Sequence, residues 1–508
     1  MGVAMIGSNF LAYILWSPNA EKGRKVLSPL KTHQQASLPK KDYTTGVKTL
    51  VIGLDCAAPE ILFNTKPLSN IRGLMERGCW GRLESVIPPI TVPAWMCMST
   101  SQDPGSLGVY GFRNRVDHSY SGLGIVNSKS FKAPAIWDAM AQGGRRSIVI
   151  GVPPSYPPRQ VCGINVGCFL TPDTKQNDYT YPTSAKAEIA NLVGDYPVDV
   201  RGFRTENKDW LRDQIFDMTR KHFEVIRYFM TTQEWDYFQF VEIGLDRVHH
   251  GFWKFHDRQH RQYVPGNPYE SVITDYYQYL DEEIGKTLEL LDEDTMVLVV
   301  SDHGAQRLEG GFCVNEWLYR EGLLVLKEHP SQHTPFSPAM VDWQRTSVWS
   351  EGGYYARVFF NVAGREPNGI IPQSKYEDFL QEMKARFEAL PDDRGEPMGT
   401  LVFRPREIYH DVRNVAPDLI VHFGALYWRS IGGLGYDSLY IQENDTGPDD
   451  CNHAQFGAFI LNAPNLGARG EVQGMRLLDI APTLLGLGGH AIPASMQGRA
   501  RFLSGNRV

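Results

Sequence analysis

The chain has 508 residues, 42% hydrophobic and 21% charged, a balance typical of an ordinary globular protein rather than a disordered or fibrous one. A formal net charge of −7 leaves no basic field to hold a polyanion, so binding of a nucleic-acid polymer is not expected. The length exceeds what one hydrophobic core usually fills, and it predicts a large domain with substantial insertions.

Residues 1–46 are expected to form a flexible leader, because 17–46 are polar and have no clear hydrophobic period. The apolar stretch 9–16 is too short to span a bilayer and has no basic segment ahead of it, so neither a stable membrane span nor a cleaved signal peptide is favoured. The seven cysteines lack a Cys-x-x-Cys spacing and do not suggest a disulfide framework. We therefore expect a cytoplasmic protein, with a secreted or periplasmic location as the alternative.

Short apolar runs rich in β-branched residues recur along the chain and predict strands. The first, Lys48–Asp55, ends on a carboxylate and precedes a helical pattern from Pro59 to Gly78. Further runs of this kind are 146–153, 235–242, 295–302, 418–423 and 456–461. Because strands alternate with helical segments, the sequence predicts an α/β fold with a mostly parallel sheet covered on both faces.

Two segments depart from this alternation and are expected to be cap insertions that face the substrate. The first, about 153–234, contains a Pro- and Tyr-rich loop and then one long helical pattern from about Lys208 to Thr232. The second is placed around 329–353. The whole of 47–508 is expected to be one catalytic domain that carries both insertions.

Polar residues at the carboxyl ends of parallel strands are site candidates, because ligands collect in the crevice beyond those ends. Asp55 ends the first predicted strand, and Asp302 and His303 end the strand at 295–302. A charge that abuts an apolar strand is costly to bury unpaired, so these residues either serve a site or cap the next helix. The sequence leaves both interpretations open.

Asp246 and His250 follow the predicted strand 235–242 and lie four residues apart, a spacing that puts both side chains on one helical face. Carboxylate with imidazole is a ligand mixture that suits zinc, and also manganese or iron. His249 lies near the same face. Residues at this spacing are more often surface or capping groups, so the spacing alone does not establish a metal site.

Thr91 stands in the Pro-rich stretch 88–95, ahead of a helical pattern at Trp95–Thr100. At a helix N-terminus, the partial positive charge would favour an anion beside its hydroxyl. Threonine is a poor nucleophile unless its pKa is lowered, for which metal coordination is one recognised means. The competing interpretation is that Thr91 only caps the helix.

These residues together resemble a known family. The chain order of several motifs is that of the type I phosphodiesterase and nucleotide pyrophosphatase family: Asp55, Thr91-Val-Pro, Asp246-x-x-x-His250, Ser301-Asp-His-Gly304 and Asn452-His453. The family belongs to the alkaline phosphatase superfamily, and the resemblance, from about Thr49 to Leu503, is closer to its group of predicted phosphohydrolases or phosphomutases. It implies an alkaline phosphatase-like three-layer α/β sandwich.

The resemblance also implies two divalent metal ions, zinc first and manganese or iron as alternatives, that clamp the phosphoryl oxygens and lower the pKa of the attacking hydroxyl. The implied ligands form two sets: Asp246, His250 and His453 for one ion, and Asp55, Asp302 and His303, with Thr91 beside them, for the other. Thr91 would attack the phosphorus to form a phosphothreonine, which water then hydrolyses.

The chain departs from the family after the nucleophile, where nucleotide pyrophosphatases carry an Asn that donates to the phosphate. The third residue after Thr91 is Ala94. If this is the matching position, the donor is missing, and Arg113 or Asn114 could replace it only if the loop folds back, which puts cleavage of nucleotide diesters in doubt. A sulfatase is not expected, because the Cys-x-Pro-x-Arg signature is absent around Cys97.

The predicted function is hydrolysis of a phosphate monoester or diester on a phosphorylated small molecule. One alternative is a phosphomutase, which would use the same two-metal centre and need a cap that excludes water. The other is a catalytically silent binding protein, which loss of a ligand residue would mark, and no implied ligand is missing. The sequence does not predict the substrate or the oligomeric state.

Overall fold

The computed structural model describes residues 46–464 and 466–503. The expected leader, including the apolar stretch 9–16, lies outside the described residues except for Gly46. Within the described ranges, no helix combines the length and the apolar character that crossing a membrane requires.

The strands follow in chain order: β1 (Thr49–Leu54), β2 (Cys79–Glu84), β3 (Arg113–Arg115), β4 (Leu123–Ile125), β5 (Ser147–Ile150), β6 (Gly163–Val166), β7 (Thr180–Tyr181), β8 (Tyr237–Glu242), β9 (Met296–Val300), β10 (Gly304–Arg307), β11 (Gly310–Cys313), β12 (Val348–Glu351), β13 (Ala356–Phe360), β14 (Leu401–Phe403), β15 (Leu419–His422), β16 (Trp428–Ile431), β17 (Tyr440–Ile441), β18 (Cys451–Ala454), β19 (Phe456–Asn462), β20 (Gly470–Glu471) and β21 (Met475–Arg476).

The α-helices are α1 (Pro59–Asn64), α2 (Ser69–Arg77), α3 (Thr91–Thr100), α4 (Pro104–Leu107), α5 (Ile136–Gln142), α6 (Ser184–Val193), α7 (Lys208–Thr232), α8 (Gly244–His256), α9 (Val272–Leu288), α10 (Val314–Arg320), α11 (Tyr376–Glu388), α12 (Pro405–Ile408) and α13 (Ile480–Leu487).

A large central sheet runs in the order β20-β2-β19-β9-β1-β8-β5-β6-β7, with β21 also paired to β2. Its middle is parallel: β1 pairs with β8 and β9, and β5 pairs with β8 and β6. The register places Gly53 of β1 opposite Val241 and Val300, so β1, β8 and β9 end side by side. The residues that follow these three strands therefore emerge at one edge of the sheet.

Helices cover both faces of this sheet, which confirms the expected three-layer α/β sandwich. On β1 the side chains alternate as strand geometry requires. Leu50 and Ile52 pack into the core beneath α1, α2, α7, α8 and α9, and Val51 packs into the core beneath α3, α5 and α13.

A separate hydrophobic core lies in the residues between β10 and β18. It packs around the antiparallel sheet β12-β13-β15-β14 together with α10 and α11, and its buried residues run from Phe312 to Leu434. We call residues 312–434 the inserted lobe. The segment 329–353, predicted as an insertion, lies inside this lobe, whereas α7 of the other predicted insertion packs its buried face into the main core.

Several sequence predictions about elements differ from the structure. The helix predicted from Pro59 to Gly78 is two helices, α1 and α2, interrupted around Pro67, since proline has no N–H to donate and restricts the residue before it. The strands predicted at 418–423 and 456–461 are both present, as β15 and β19, but β15 belongs to the inserted lobe and β19 enters the central sheet antiparallel. Helix α3 begins at Thr91, ahead of the predicted start at Trp95.

Candidate metal centre

The polar residues at the ends of β1 and β9 meet at the edge of the central sheet. Asp55 continues the β1–β8 ladder by one residue, since its N–H donates to the Glu242 carbonyl at 3.1 Å. Asp302 and His303 lie between β9 and β10. All three side chains are fully buried.

These three residues form the first group of ligand atoms, which we call the Asp55 cluster: Asp55, Asp302 and His303. His303 Nε2 lies 3.3 Å from Asp302 Oδ2 and 3.7 Å from Asp55 Oδ1. Trp95, one helical turn after Thr91 on α3, donates its Nε1–H to Asp55 Oδ2 at 2.7 Å and fixes that carboxylate from above the sheet.

The second group, the Asp246 cluster, consists of Asp246, His250 and His453. Asp246 and His250 lie one turn apart on α8, with Asp246 Oδ1 3.2 Å from His250 Nε2. His453 Nε2 lies 3.3 Å from His250 Nε2 and 3.7 Å from Asp246 Oδ1. His453 comes from β18, which pairs antiparallel with β10 and so stacks its ring on that of His303 with the centroids 3.9 Å apart.

Both clusters fit a bound divalent ion. Ligand atoms about 2.0–2.1 Å from a tetrahedral zinc lie about 3.3 Å from one another, and the distances within the clusters run from 3.2 to 3.7 Å. Among the described residues, Asp246 Oδ1 and Asp302 Oδ2 are buried without a hydrogen-bond partner. A buried carboxylate oxygen without a donor is costly, so each cluster holds one oxygen that a cation would satisfy.

The histidines of both clusters present the same ring nitrogen. The Nδ1–H of His303 donates to the Gly304 carbonyl at 3.1 Å, and that of His453 donates to the Pro89 carbonyl at 3.0 Å. His250 donates from Nδ1 to Asp449 Oδ1 at 2.6 Å. An occupied Nδ1 leaves the Nε2 lone pair free for a metal ion, as in many metal sites.

Thr91 is the first residue of α3 and lies against the Asp55 cluster. Its Oγ1 is 3.4 Å from Asp55 Oδ1 and 3.3 Å from His303 Nε2, and the residue is 3% exposed. The first turn of a helix carries partial positive charge and N–H groups without intrahelical partners. The Thr91 hydroxyl therefore lies beside the Asp55 carboxylate and at the helix end that favours anions.

The two clusters differ in charge. Burial, and then the nearness of another carboxylate, raises the pKa of Asp55 and of Asp302 well above the ordinary value for aspartate. Burial also acts on Asp246, but His250 and Arg247 outweigh it and hold the pKa of Asp246 well below that value. Arg247 also lowers the pKa of Asp55, but burial and the nearby carboxylate outweigh it, so a bound metal ion would supply the compensating positive charge.

Three residues considered in the sequence analysis lie apart from the ligand clusters. His249 points its Nδ1–H to the Cys56 carbonyl at 3.0 Å. Ala94 is buried in α3. Asn114 turns back on its own loop, accepting from the Tyr110 N–H at 2.7 Å and donating to the Gly111 carbonyl at 3.0 Å.

Two neighbours of the Asp246 cluster escaped the sequence analysis. Asp449 bonds His250, and its place three residues before Asn452-His453 was the one sequence signal that pointed to it. Tyr354 of the inserted lobe stacks on His453 and His250, with ring centroids 4.3 and 5.1 Å away. No sequence pattern links this tyrosine to the centre, because the contact depends on how the lobe packs.

Comparison with known proteins places these features in context. Residues 49–449 match the family model of type I phosphodiesterase / nucleotide pyrophosphatase, and His453 lies just beyond the matched range. The phosphonoacetate hydrolase of Sinorhizobium meliloti 1021, solved with phosphonoformate, is 15% identical over 87% of this chain and 96% of its own, with a TM-score of 0.56, which shows a shared fold.

Two ectonucleotide pyrophosphatase/phosphodiesterase 5 structures are also similar. The human protein is 13% identical over 90% of this chain and 97% of its own, with a TM-score of 0.49. The murine protein is 14% identical over 88% of this chain and 96% of its own, with a TM-score of 0.48. A comparison with curated proteins gave no match.

Proposed function

Because this chain belongs to the type I phosphodiesterase / nucleotide pyrophosphatase family, we propose that it cleaves a phosphate monoester or diester of a small molecule through a phosphothreonine formed on Thr91. Family membership makes it a hydrolase of phosphoric ester bonds. The proposal adds the nucleophile, the metal ligands and the course of the reaction.

One observation carries the proposal: a hydroxyl lies at the start of a helix and against one of two adjacent ligand clusters. Thr91 Oγ1 is within 3.4 Å of two side chains of the Asp55 cluster. The stacked rings of His303 and His453 bring the Asp246 cluster alongside. A phosphoryl group beside Thr91 would therefore lie between the two clusters, where positive charge is needed.

The proposed ligands fall into the two sets described above. Asp246, His250 and His453 would hold one ion, and Asp55, Asp302 and His303, with Thr91, would hold the other. Bound divalent ions would supply positive charge for the phosphoryl oxygens and lower the pKa of the Thr91 hydroxyl. Zinc is proposed first because each set offers three carboxylate or imidazole ligands and leaves positions for substrate, with manganese or iron as alternatives.

The chain's own groups would act on the substrate as follows. Thr91 Oγ1, once its proton has passed to solvent, would attack phosphorus in line with the leaving oxygen; the ester P–O bond breaks as the new P–O bond forms, and the leaving oxygen takes a proton from solvent. Water would then attack the phosphothreonine, break its bond to Thr91 Oγ1 and return a proton to that oxygen, which releases phosphate from a monoester or a phosphomonoester from a diester. The Thr91 and Val92 N–H groups belong to the first turn of α3 and have no partners within the helix, so they would be available to donate to the developing charge. They would provide the donors that Ala94 cannot, since the amide of Asn114 is used within its own loop.

The test pairs metal content with turnover in Thr91→Ala. The assay follows p-nitrophenyl phosphate, its bis ester and its phenylphosphonate ester, with and without added zinc or manganese. We expect metal-dependent turnover by the wild type and less than about 10⁻³ of it in the variant, which keeps its metal content. Thr91→Ser is the matched control and should keep measurable turnover because it keeps a hydroxyl. Wild-type turnover by Thr91→Ala would overturn the proposal.

The products separate the hydrolase from a phosphomutase, the alternative use of the same centre. A hydrolase transfers the phosphoryl group to water, so it releases phosphate from a monoester or a phosphomonoester from a diester. A mutase returns the phosphoryl group from Thr91 to a second hydroxyl of the substrate, and inorganic phosphate does not accumulate. Oxygen-18 from labelled water in the released product identifies the hydrolase.

We also propose a reducing, cytoplasmic location. All seven cysteines are free thiols, and six of them are buried. Oxidising compartments favour disulfides, so a chain with this many unpaired thiols suits a reducing one. Recovery of the native protein from a periplasmic or secreted fraction would contradict this proposal.

A further inference from the structure

A buried carboxylate stands behind the Asp246 cluster. Asp449 is 6% exposed as a residue, and its Oδ1 accepts the Nδ1–H of His250 at 2.6 Å. A backbone hydrogen bond joins the same two segments, because the Asp450 N–H donates to the His250 carbonyl at 2.9 Å. Asp449 thus contacts His250 on the ring nitrogen opposite the one that faces Asp246 and His453.

The other oxygen of Asp449 is held by one neighbouring residue and by two arginines from elsewhere in the chain. Oδ2 accepts from Arg204 Nε at 3.0 Å, from Arg429 Nη1 at 3.2 Å and from Asn444 Nδ2 at 3.2 Å. Arg429 belongs to β16 in the inserted lobe. These donors fix the carboxylate so that Oδ1 remains directed at His250.

We propose that Asp449 is a positioning residue for one metal ion alone, the ion of the Asp246 cluster, and that through Arg429 it makes this site depend on the inserted lobe. The inference rests on the proposed function, because it assumes that the cluster binds a metal. A carboxylate on Nδ1–H fixes the tautomer and orientation of the ring and makes Nε2 a stronger ligand. His303 of the Asp55 cluster donates to a neutral carbonyl instead.

A different role for the same residues is that they bind a third metal ion. Ligand atoms of His250, Asp449 and Cys451 lie within 4.8 Å of one another. Two guanidinium groups already contact Asp449, however, and His250 Nδ1 carries the proton of its hydrogen bond. A cation placed there would face like charges at close range, so the geometry favours positioning.

The test is zinc binding by the full chain, measured by competition with a chromophoric chelator. We expect two ions in the wild type and, in Asp449→Asn, a roughly 10- to 100-fold weaker affinity for one of them. Asp445→Asn is the matched control. Its carboxylate belongs to the same loop and lies 3.9 Å from Arg429, but it is not bonded to His250. Both ions should therefore bind to this variant as they do to the wild type.

A background variant identifies the weakened ion. In His453→Ala the Asp246 cluster lacks a ligand, and the remaining ion belongs to the Asp55 cluster. Adding Asp449→Asn there should leave its affinity unchanged, while adding it to His303→Ala should weaken the ion that stays. A change in the affinity of the ion that stays in the His453→Ala background would overturn the inference.

A milder variant covers the case in which Asp449→Asn does not fold. Arg429→Gln removes one donor to Asp449 and should weaken the same ion by less than about 10-fold. Unchanged affinity for both ions in every folded variant of this pair would overturn the inference while leaving the proposed function standing. A wild-type protein that binds no zinc would overturn both.

Discussion

The two ligand clusters of the centre lie side by side but are built differently. The Asp55 cluster comes from the ends of adjacent parallel strands, where register alone brings Asp55 and Asp302 together. The Asp246 cluster joins helix α8, the antiparallel strand β18 and, through Asp449, the inserted lobe. One site is thus fixed by the sheet, whereas the other depends on packing between distant segments.

The largest expected effect is the loss of a metal ligand from the Asp55 cluster. Asp302→Ala removes a ligand of the Asp55 cluster and should reduce bound metal to one ion per chain. A metal ion contributes several kcal/mol to transition-state stabilisation, so turnover should fall about 10³-fold or more. Metal analysis and the p-nitrophenyl ester assays measure both quantities.

Asp294→Ala is the matched control, because Asp294 is exposed and precedes the opposite end of β9. It should keep both ions and wild-type turnover. Two ions bound at wild-type affinity in Asp302→Ala would contradict the assignment of the Asp55 cluster.

The next expected effect is a loss of stability when the buried contact between His222 and Glu242, beneath the start of α8, is broken. His222 donates from Nδ1 to Glu242 at 2.9 Å and from Nε2 to the Pro197 carbonyl at 2.6 Å, and Glu242 also accepts the N–H of Gly244 at the start of α8. Breaking a buried pair of this kind costs about 3 kcal/mol or more, so His222→Gln should lower the free energy of unfolding by that amount.

The pH dependence of this effect has a defined sign. Burial lowers the pKa of His222, but Glu242 and the Pro197 carbonyl outweigh it and raise the pKa above its ordinary value of 6.5. The stabilisation is therefore complete below pH 6.5 and is lost as pH rises through the folded pKa. Urea unfolding across this range should show that loss in the wild type and not in His222→Gln.

Glu224→Gln on the same helix is the control for this series. Glu224 pairs with Arg220 at a largely exposed position, so its loss should change stability by less than about 0.5 kcal/mol. A pH-independent difference between the wild type and His222→Gln would show that the pair is not charged.

The smallest expected effect is the loss of the hydrogen bond from Trp95 to Asp55, and it compares the metal affinities of the two clusters. Trp95→Phe removes the N–H that bonds Asp55 Oδ2 and keeps an aromatic ring at this buried position. It should weaken the ion of the Asp55 cluster about 10-fold and leave the other ion unchanged, the reverse of the pattern expected for Asp449→Asn. Zinc competition in the His303→Ala and His453→Ala backgrounds assigns the change.

Trp253→Phe serves as control, since it removes an indole N–H bonded to Asp257 and should alter neither ion. Equal weakening of both ions by Trp95→Phe would mean that the two clusters are not independent.

The comparison also separates what the sequence could predict from what it could not. Local patterns were sufficient for the strand that ends at Asp55 and for the helical spacing of Asp246 and His250, because periodicity records which side chains face the core. The pairing of β18 with β10, which brings His453 to His303, depends on long-range contacts that leave no local pattern.

The same limit applies to the inserted lobe and to Asp449. Strand β15 of the lobe is a continuous buried apolar run, as the central strands β1 and β9 are, so the run 418–423 could not be assigned to its sheet from pattern alone. Asp449 is one acidic residue among many in the sequence, and only its burial against His250, Arg204 and Arg429 distinguishes it.

The most direct test of a two-metal centre is the metal content of the purified full-length protein, measured by plasma mass spectrometry alongside ester hydrolysis. The account predicts two divalent ions per chain and turnover that disappears with a chelator and returns with zinc or manganese. A protein that binds no metal under these conditions, or that hydrolyses the esters equally well after complete metal removal, would contradict it.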